Sequence, residues 1–169
     1  MKLNIKNHAL KGTTMMLFLF FTLTGCVGAR QTIQIPDYIL VPNGKEDVAG
    51  KSLTAFIFEN NIKHSQIEEY LAAKINSGNY FEKEVWVTID KDRYKLIIYD
   101  STDFEKYFGS ANYSPINEEA KNDNYYSQRK FIAISMINAY NEDCLKDNSL
   151  FQNVAVKYLK NLKDEYVNR

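Results

Sequence analysis

The chain has 169 residues with 21 Lys+Arg against 21 Asp+Glu, a formal net charge of zero, and 12 Tyr and 10 Phe. This balance excludes the basic stripe that nucleic-acid binding requires, and two cysteines exclude a disulfide framework. Two histidines leave too few ligands for a zinc centre built from His and Cys.

The first feature along the chain is Met1–Gly28. Lys2, Lys6 and Lys11 form a charged head, and Met15–Leu23 forms an apolar core. That core is about half the ~20 residues a membrane-spanning helix needs, and it has the proportions of a secretory signal. Small residues follow, then a cysteine, whose thiolate is a strong nucleophile suited to accepting a lipid. The tetrapeptide Leu23-Thr24-Gly25-Cys26 resembles the lipobox of bacterial lipoproteins. The resemblance implies recognition of Leu23, Thr24 and Gly25 by signal peptidase II and cleavage before Cys26. It also implies diacylglycerol on the Cys26 sulfur and a further acyl chain on its freed amine, with no other cofactor expected. The expected organisation is a signal peptide over 1–25, a lipidated tether over 26–31 and a single domain over 32–169. Cleavage would remove three lysines and no acid, leaving 18 basic against 21 acidic side chains and a net charge of −3. Membrane attachment must then come from the lipid, not from attraction to anionic headgroups. By similarity to other lipoproteins, the absence of Asp after Cys26 implies the outer membrane, facing the periplasm.

Beyond the tether, Gln31–Ile35 alternates polar and apolar residues as a half-buried strand does. Tyr38–Val41 resumes the apolar run, and Pro42-Asn43-Gly44 ends it with turn chemistry. Ser52–Phe58 reads as a strand apolar on both faces, hence central. Ser65-Gln66-Ile67-Glu68 has the pattern of a capping box. It opens a helix with Ile67, Tyr70, Leu71 and Ile75 on one face, stopping at Gly78. Val85, Val87 and Ile89 then alternate with Trp86 and Thr88, and Asp90-Lys91-Asp92 turns the chain into Tyr94–Tyr99, which predicts an antiparallel hairpin. Thr102-Asp103-Phe104-Glu105 reads as a second capping box, for a short helix ending near Gly109, and Ser110–Asn124 as a polar loop. Tyr125–Leu145 carries a broad apolar band through Phe131, Ile134, Ile137 and Tyr140, which predicts a largely buried helix. Ser149–Gln152 caps a last helix whose stripe runs through Phe151, Val154, Ala155, Tyr158, Leu159, Leu162 and Tyr166. The expected fold class is α+β, a small antiparallel sheet with a central hairpin, one mid-chain helix and two long C-terminal helices packed on one face.

Sets of residues with catalytic potential are sparse. His64 precedes a helix cap and reads as a surface residue. Asp90-Lys91-Asp92 opens like a calcium loop, but Tyr94 stands at the next ligand position and no glycine follows at the bend. The acid pairs Glu68-Glu69, Glu118-Glu119 and Glu142-Asp143 are neighbours in sequence, so on a helix they diverge in direction. Cys144 reads as a small buried apolar group. Aromatic residues border the polar loop, and Tyr107, Phe108, Tyr113, Tyr125 and Tyr126 are the candidate partner-binding residues, since tyrosine combines apolar area with a hydrogen-bonding end.

These readings lead to the expectation of a lipid-anchored, non-enzymatic envelope protein that binds or stabilises a protein partner, for example a component of a secretion or envelope assembly. An immunity lipoprotein neutralising a toxin that acts in the periplasm is the alternative. A carboxylate-dependent hydrolase is a minor one.

Overall fold

A computed structural model describes residues 32–47, 49–62, 66–75, 83–116 and 130–169. Met1–Gly28, His64, Ser65, Gly78, the pair Glu118-Glu119, and Tyr125 and Tyr126 lie outside the described residues. The strands are β1 (Ile33–Gln34), β2 (Ile39–Val41), β3 (Ala55–Glu59), β4 (Glu84–Ile89), β5 (Asp92–Ile98), β6 (Tyr113–Ser114) and β7 (Phe131–Asn138). The helices are α1 (Ile67–Ile75), α2 (Ser101–Tyr107) and α3 (Gln152–Val167), with one turn of 3-10 helix at Ser110–Asn112. Five strands form an antiparallel sheet in the order β2-β3-β7-β5-β4, and β1 pairs with β6 in a separate parallel ribbon. The class is α+β, and Thr32–Arg169 forms one compact unit.

The expected hairpin is β4–β5. Ile89 pairs with Asp92 across a two-residue loop, and Asp90 and Lys91 both take positive φ, 51° and 78°. That backbone twist matches the twist of the strands it joins. The loop is therefore a hairpin turn, at the edge of the sheet.

The band over Tyr125–Leu145 needs correction. Phe131–Asn138 is the central strand, not part of a long helix, so only one long helix stands at the C-terminal end. All eight residues of β7 are buried. A strand covered on both faces loses the polar–apolar alternation that identifies strands, and its continuous apolar run then matches helical spacing by coincidence. Tyr140, assigned to the same apolar band, is 83% exposed just beyond the strand.

The two sheet faces have separate cores. Phe56 and Phe58 of β3, Leu96 of β5, and Ile132, Ile134 and Met136 of β7 meet Ile67 and Leu71 of α1 and Ala155, Leu159, Leu162 and Tyr166 of α3. On the opposite face Ala55, Ile57, Tyr99, Phe131 and Ala133 pack against Phe104 of α2, Phe108, Tyr113 and Ile35. The second face carries a buried polar network. The Tyr99 hydroxyl lies 2.8 Å from Ser135 Oγ and accepts from Lys45 N at 2.9 Å, while Ser135 Oγ donates to the Thr54 carbonyl at 2.8 Å. Gly44 makes room for it: a Cβ there would stand 2.3 Å from the Tyr99 hydroxyl and 2.8 Å from the Leu53 carbonyl oxygen.

Helix starts also differ from expectation. α2 is capped by Asp100, whose carboxylate accepts from Asp103 N at 2.7 Å, so the Thr102 capping box does not form. A carboxylate at the cap meets the positive end of the helix dipole. α3 has no side-chain cap; Ser149 instead supports the preceding turn, its Oγ accepting from Phe151 N at 3.3 Å.

Gly44→Ala should destabilise the domain by about 1–3 kcal/mol through overpacking, read as a lower urea midpoint with an unchanged slope. The ammonium of Lys83, together with the α2 backbone, holds the Asp100 carboxyl down at about 2 against an ordinary 3.8. A depressed carboxylate stabilises the fold fully above its unfolded value. That contribution should fade as pH falls from about 4 towards 2, and Asp100→Ala should remove the fade along with about 1 kcal/mol of cap stability. Thermal unfolding of both proteins across that window measures it.

Candidate functional site on the open sheet face

Of the aromatic residues expected at an interface, Phe108 and Tyr113 are core. Tyr99 and Phe108 have ring centroids 5.1 Å apart, Phe104 and Tyr113 5.9 Å, and Tyr113 and Phe131 5.5 Å. Burial raises the Tyr113 phenol above its ordinary value. The correction has a simple cause: the residues around α2 must cover the second sheet face, so their apolar area is spent inside. Tyr107 is half-buried at the rim, with Lys106 Nζ 4.8 Å from its ring centre.

The described acids of the expected pairs have structural work. Glu68 is buried while Glu69 is exposed, so they do diverge. Asp143 accepts from Thr54 N at 2.7 Å and Leu145 N at 2.9 Å, and Glu142 accepts from Asn138 Nδ2 at 2.7 Å. Among the described residues no group of three or more His, Cys, Asp or Glu is placed to hold a metal ion, and no helix is long and apolar enough to cross a membrane. Cys144 is free and buried, and desolvation followed by the charges of Asp143 and Glu142 pushes its thiol up to about 12. It follows β7 on an irregular segment instead of lying in a helix.

The surface that stands out was oriented by the sequence pattern but not singled out by it. Trp86 projects from β4 away from the helices and is 42% exposed. The Arg93 guanidinium carbon lies 4.7 Å from its ring centre and Lys95 Nζ 5.2 Å, both from β5. Lys95 also meets Glu84 at 3.0 Å. The register explains the grouping, because Trp86 lies opposite Lys95 and Thr88 opposite Arg93, all on one face of the hairpin. A signal was present in the sequence: once the two-residue turn is placed, the only tryptophan of the chain falls between two cations. The flanking cations hold the indole in place, each such contact contributing roughly 0.5–1 kcal/mol at an exposed site. Trp and Arg in one exposed cluster form the composition of protein-binding hot spots.

The backbone adds a second property. Ile89 and Asp92 close the hairpin, and Ile98 N donates to the Lys83 carbonyl at 2.7 Å, so odd-numbered β4 residues bond to β5. The N–H and C=O groups of Glu84, Trp86 and Thr88 point outward, along the edge where the sheet order ends. At the other edge β2 is three residues long and bracketed by Pro36 and Pro42, which discourages pairing. β4 is six residues long and has no proline.

Comparison with models of known protein families, with curated proteins and with solved structures finds no match.

A maleimide should leave Cys144 largely unmodified in the native domain and react quickly once urea unfolds it, because thiolate is scarce and the sulfur is covered. Mass spectrometry of the peptide containing Cys144 reads both states.

Proposed function

We propose that this chain is a non-enzymatic, lipid-anchored protein of the bacterial envelope that works by binding protein at the membrane surface, as a component of a secretion or envelope assembly. The order of charged head, apolar core, small residues and Cys26 supports the anchor, with Leu23, Thr24 and Gly25 as the recognition residues and acyl chains on Cys26. Two or more chains suffice for stable attachment, each buried methylene contributing ~0.8 kcal/mol. The outer membrane, facing the periplasm, is the proposed location.

The observation that carries the binding role is the exposed Trp86 held between Arg93 and Lys95 on a strand with a free edge. An indole left half in water, with its orientation fixed by neighbours, is apolar area available to a partner at little entropic cost.

Cys26→Ala should move the protein out of the membrane pellet or leave it as unprocessed precursor, and labelling with a fatty-acid analogue should be lost. Full membrane association and normal processing of that variant would refute the anchor. Separately, crosslinking in intact cells followed by purification through a C-terminal tag should recover a stoichiometric envelope protein with wild-type chain. Recovery should fall at least tenfold with Trp86→Ala, a loss of about 1.4 kcal/mol or more at a hot spot.

A further inference from the structure

We infer that β4 is the site of self-association, pairing antiparallel with the β4 strand of a second copy about a two-fold axis through Trp86, so that two five-stranded sheets become one. The inference rests on reading the β4–β5 face as a binding surface and is independent of the lipid anchor.

The outward-pointing groups set the register. In an antiparallel ladder, residues whose N–H and C=O both face the partner form the hydrogen-bonded pairs. Those residues in β4 are Glu84, Trp86 and Thr88. Centred on Trp86, the pairing places Trp86 against the partner copy's equivalent tryptophan and Glu84 against its equivalent threonine, with the reverse pair generated by symmetry. The interface is thus isologous and closes at two copies.

Charge complementarity selects a second copy as occupant. Arg93 lies directly across from Thr88 within the hairpin. Among the described residues its guanidinium contacts the Trp86 ring and no carboxylate. In the proposed register the Glu84 of one copy flanks Thr88 of the other from the far side. A small threonine then separates carboxylate and guanidinium across two strand spacings, roughly 10 Å between backbones, which the two long side chains bridge. Glu84 is available for this, since its side chain is 59% exposed and its own partner, Lys95, stays beside it. The dimer therefore supplies the acid that Arg93 lacks, twice, and covers both indoles. On the helix-facing side, Val85 of one copy meets Val87 of the other, extending the apolar face without a polar interruption.

Full-length processed protein in mild detergent, analysed by size-exclusion chromatography with light scattering, should have the mass of two chains after correction for the micelle. Thr88→Pro deletes an outward N–H and leaves every β4–β5 ladder bond in place, so it should give one chain with unchanged circular dichroism. Glu84→Arg should also yield monomer, and Glu84→Arg combined with Arg93→Glu should restore the dimer, a rescue no general loss of folding produces. In cells, Trp86→Cys should form an intermolecular disulfide, its two Cα atoms lying about 5.5 Å apart, whereas Glu84→Cys should not. A single-chain mass for the wild type throughout a dilution series, together with absence of the Trp86→Cys crosslink, would overturn the proposal. A dimer that survives Thr88→Pro would overturn the assignment to β4. Neither result touches processing or lipidation at Cys26, whose own failure is read in the membrane fraction.

Discussion

A strand buried along its whole length imposes the strictest condition on this domain. Every residue of β7 is out of water, so both of its faces must be covered and both of its edges paired. Its edges are satisfied by β3 and β5. One face is covered by α1 and α3, the other by α2 and the segments that carry Ile35 and Tyr113. Two polar residues lie in the strand, and each is bonded: Ser135 within the Tyr99 network, and Asn138 to the turn that follows, accepting from Tyr140 N and Glu142 N and donating to Glu142. An unpaired polar group at either position would cost roughly 1–3 kcal/mol, which makes the loop over 44–54 and the turn over 139–143 parts of the core.

Cover on the second face is uneven, and that unevenness creates the candidate site. α2 is only seven residues long and its aromatic rings sit over β3 and the starts of β7 and α2 itself. Leu53 shields Ile97 and Ile137. Nothing among the described residues reaches across the outer half of β5 to β4, so Glu84, Trp86, Thr88 and Arg93 remain on the surface. The first face has no such gap, because sixteen-residue α3 spans it. Its position is fixed from both ends by polar contacts: Asp37 with Lys160 and Lys163, and Glu165 with Tyr70 and Lys74. The Asp37 carboxyl is held below its ordinary value chiefly by Lys163.

Local rules recovered the elements whose cause is local. The β4–β5 hairpin follows from strict alternation and a short polar turn, and α3 from a long apolar stripe. α1 and α2 are legible as helices, although the cap of α2 moved to Asp100, where a charged acceptor outcompetes the neutral hydroxyl of Thr102. β7 was not legible as a strand, because burial on two faces erases the period that would distinguish it from a helix. Phe108 and Tyr113 were misread for a related reason: an aromatic beside a polar loop looks like surface until the face it covers is known. Trp86 was oriented correctly, yet its importance depended on the identity of its cross-strand neighbours.

The amino-acid order by itself determined the α+β class, the hairpin turn, the last helix and the run of charged, apolar and small residues that ends in Cys26, since each depends on residues a few positions apart. Only the tertiary structure decided that Phe131–Asn138 lies at the centre of the sheet, that the tyrosines around α2 are interior, and that β4 stands at an edge with Trp86 uncovered. Those outcomes depend on which strand pairs with which and on how far a short helix reaches. They are set by contacts between residues distant along the chain, to which no local pattern is sensitive.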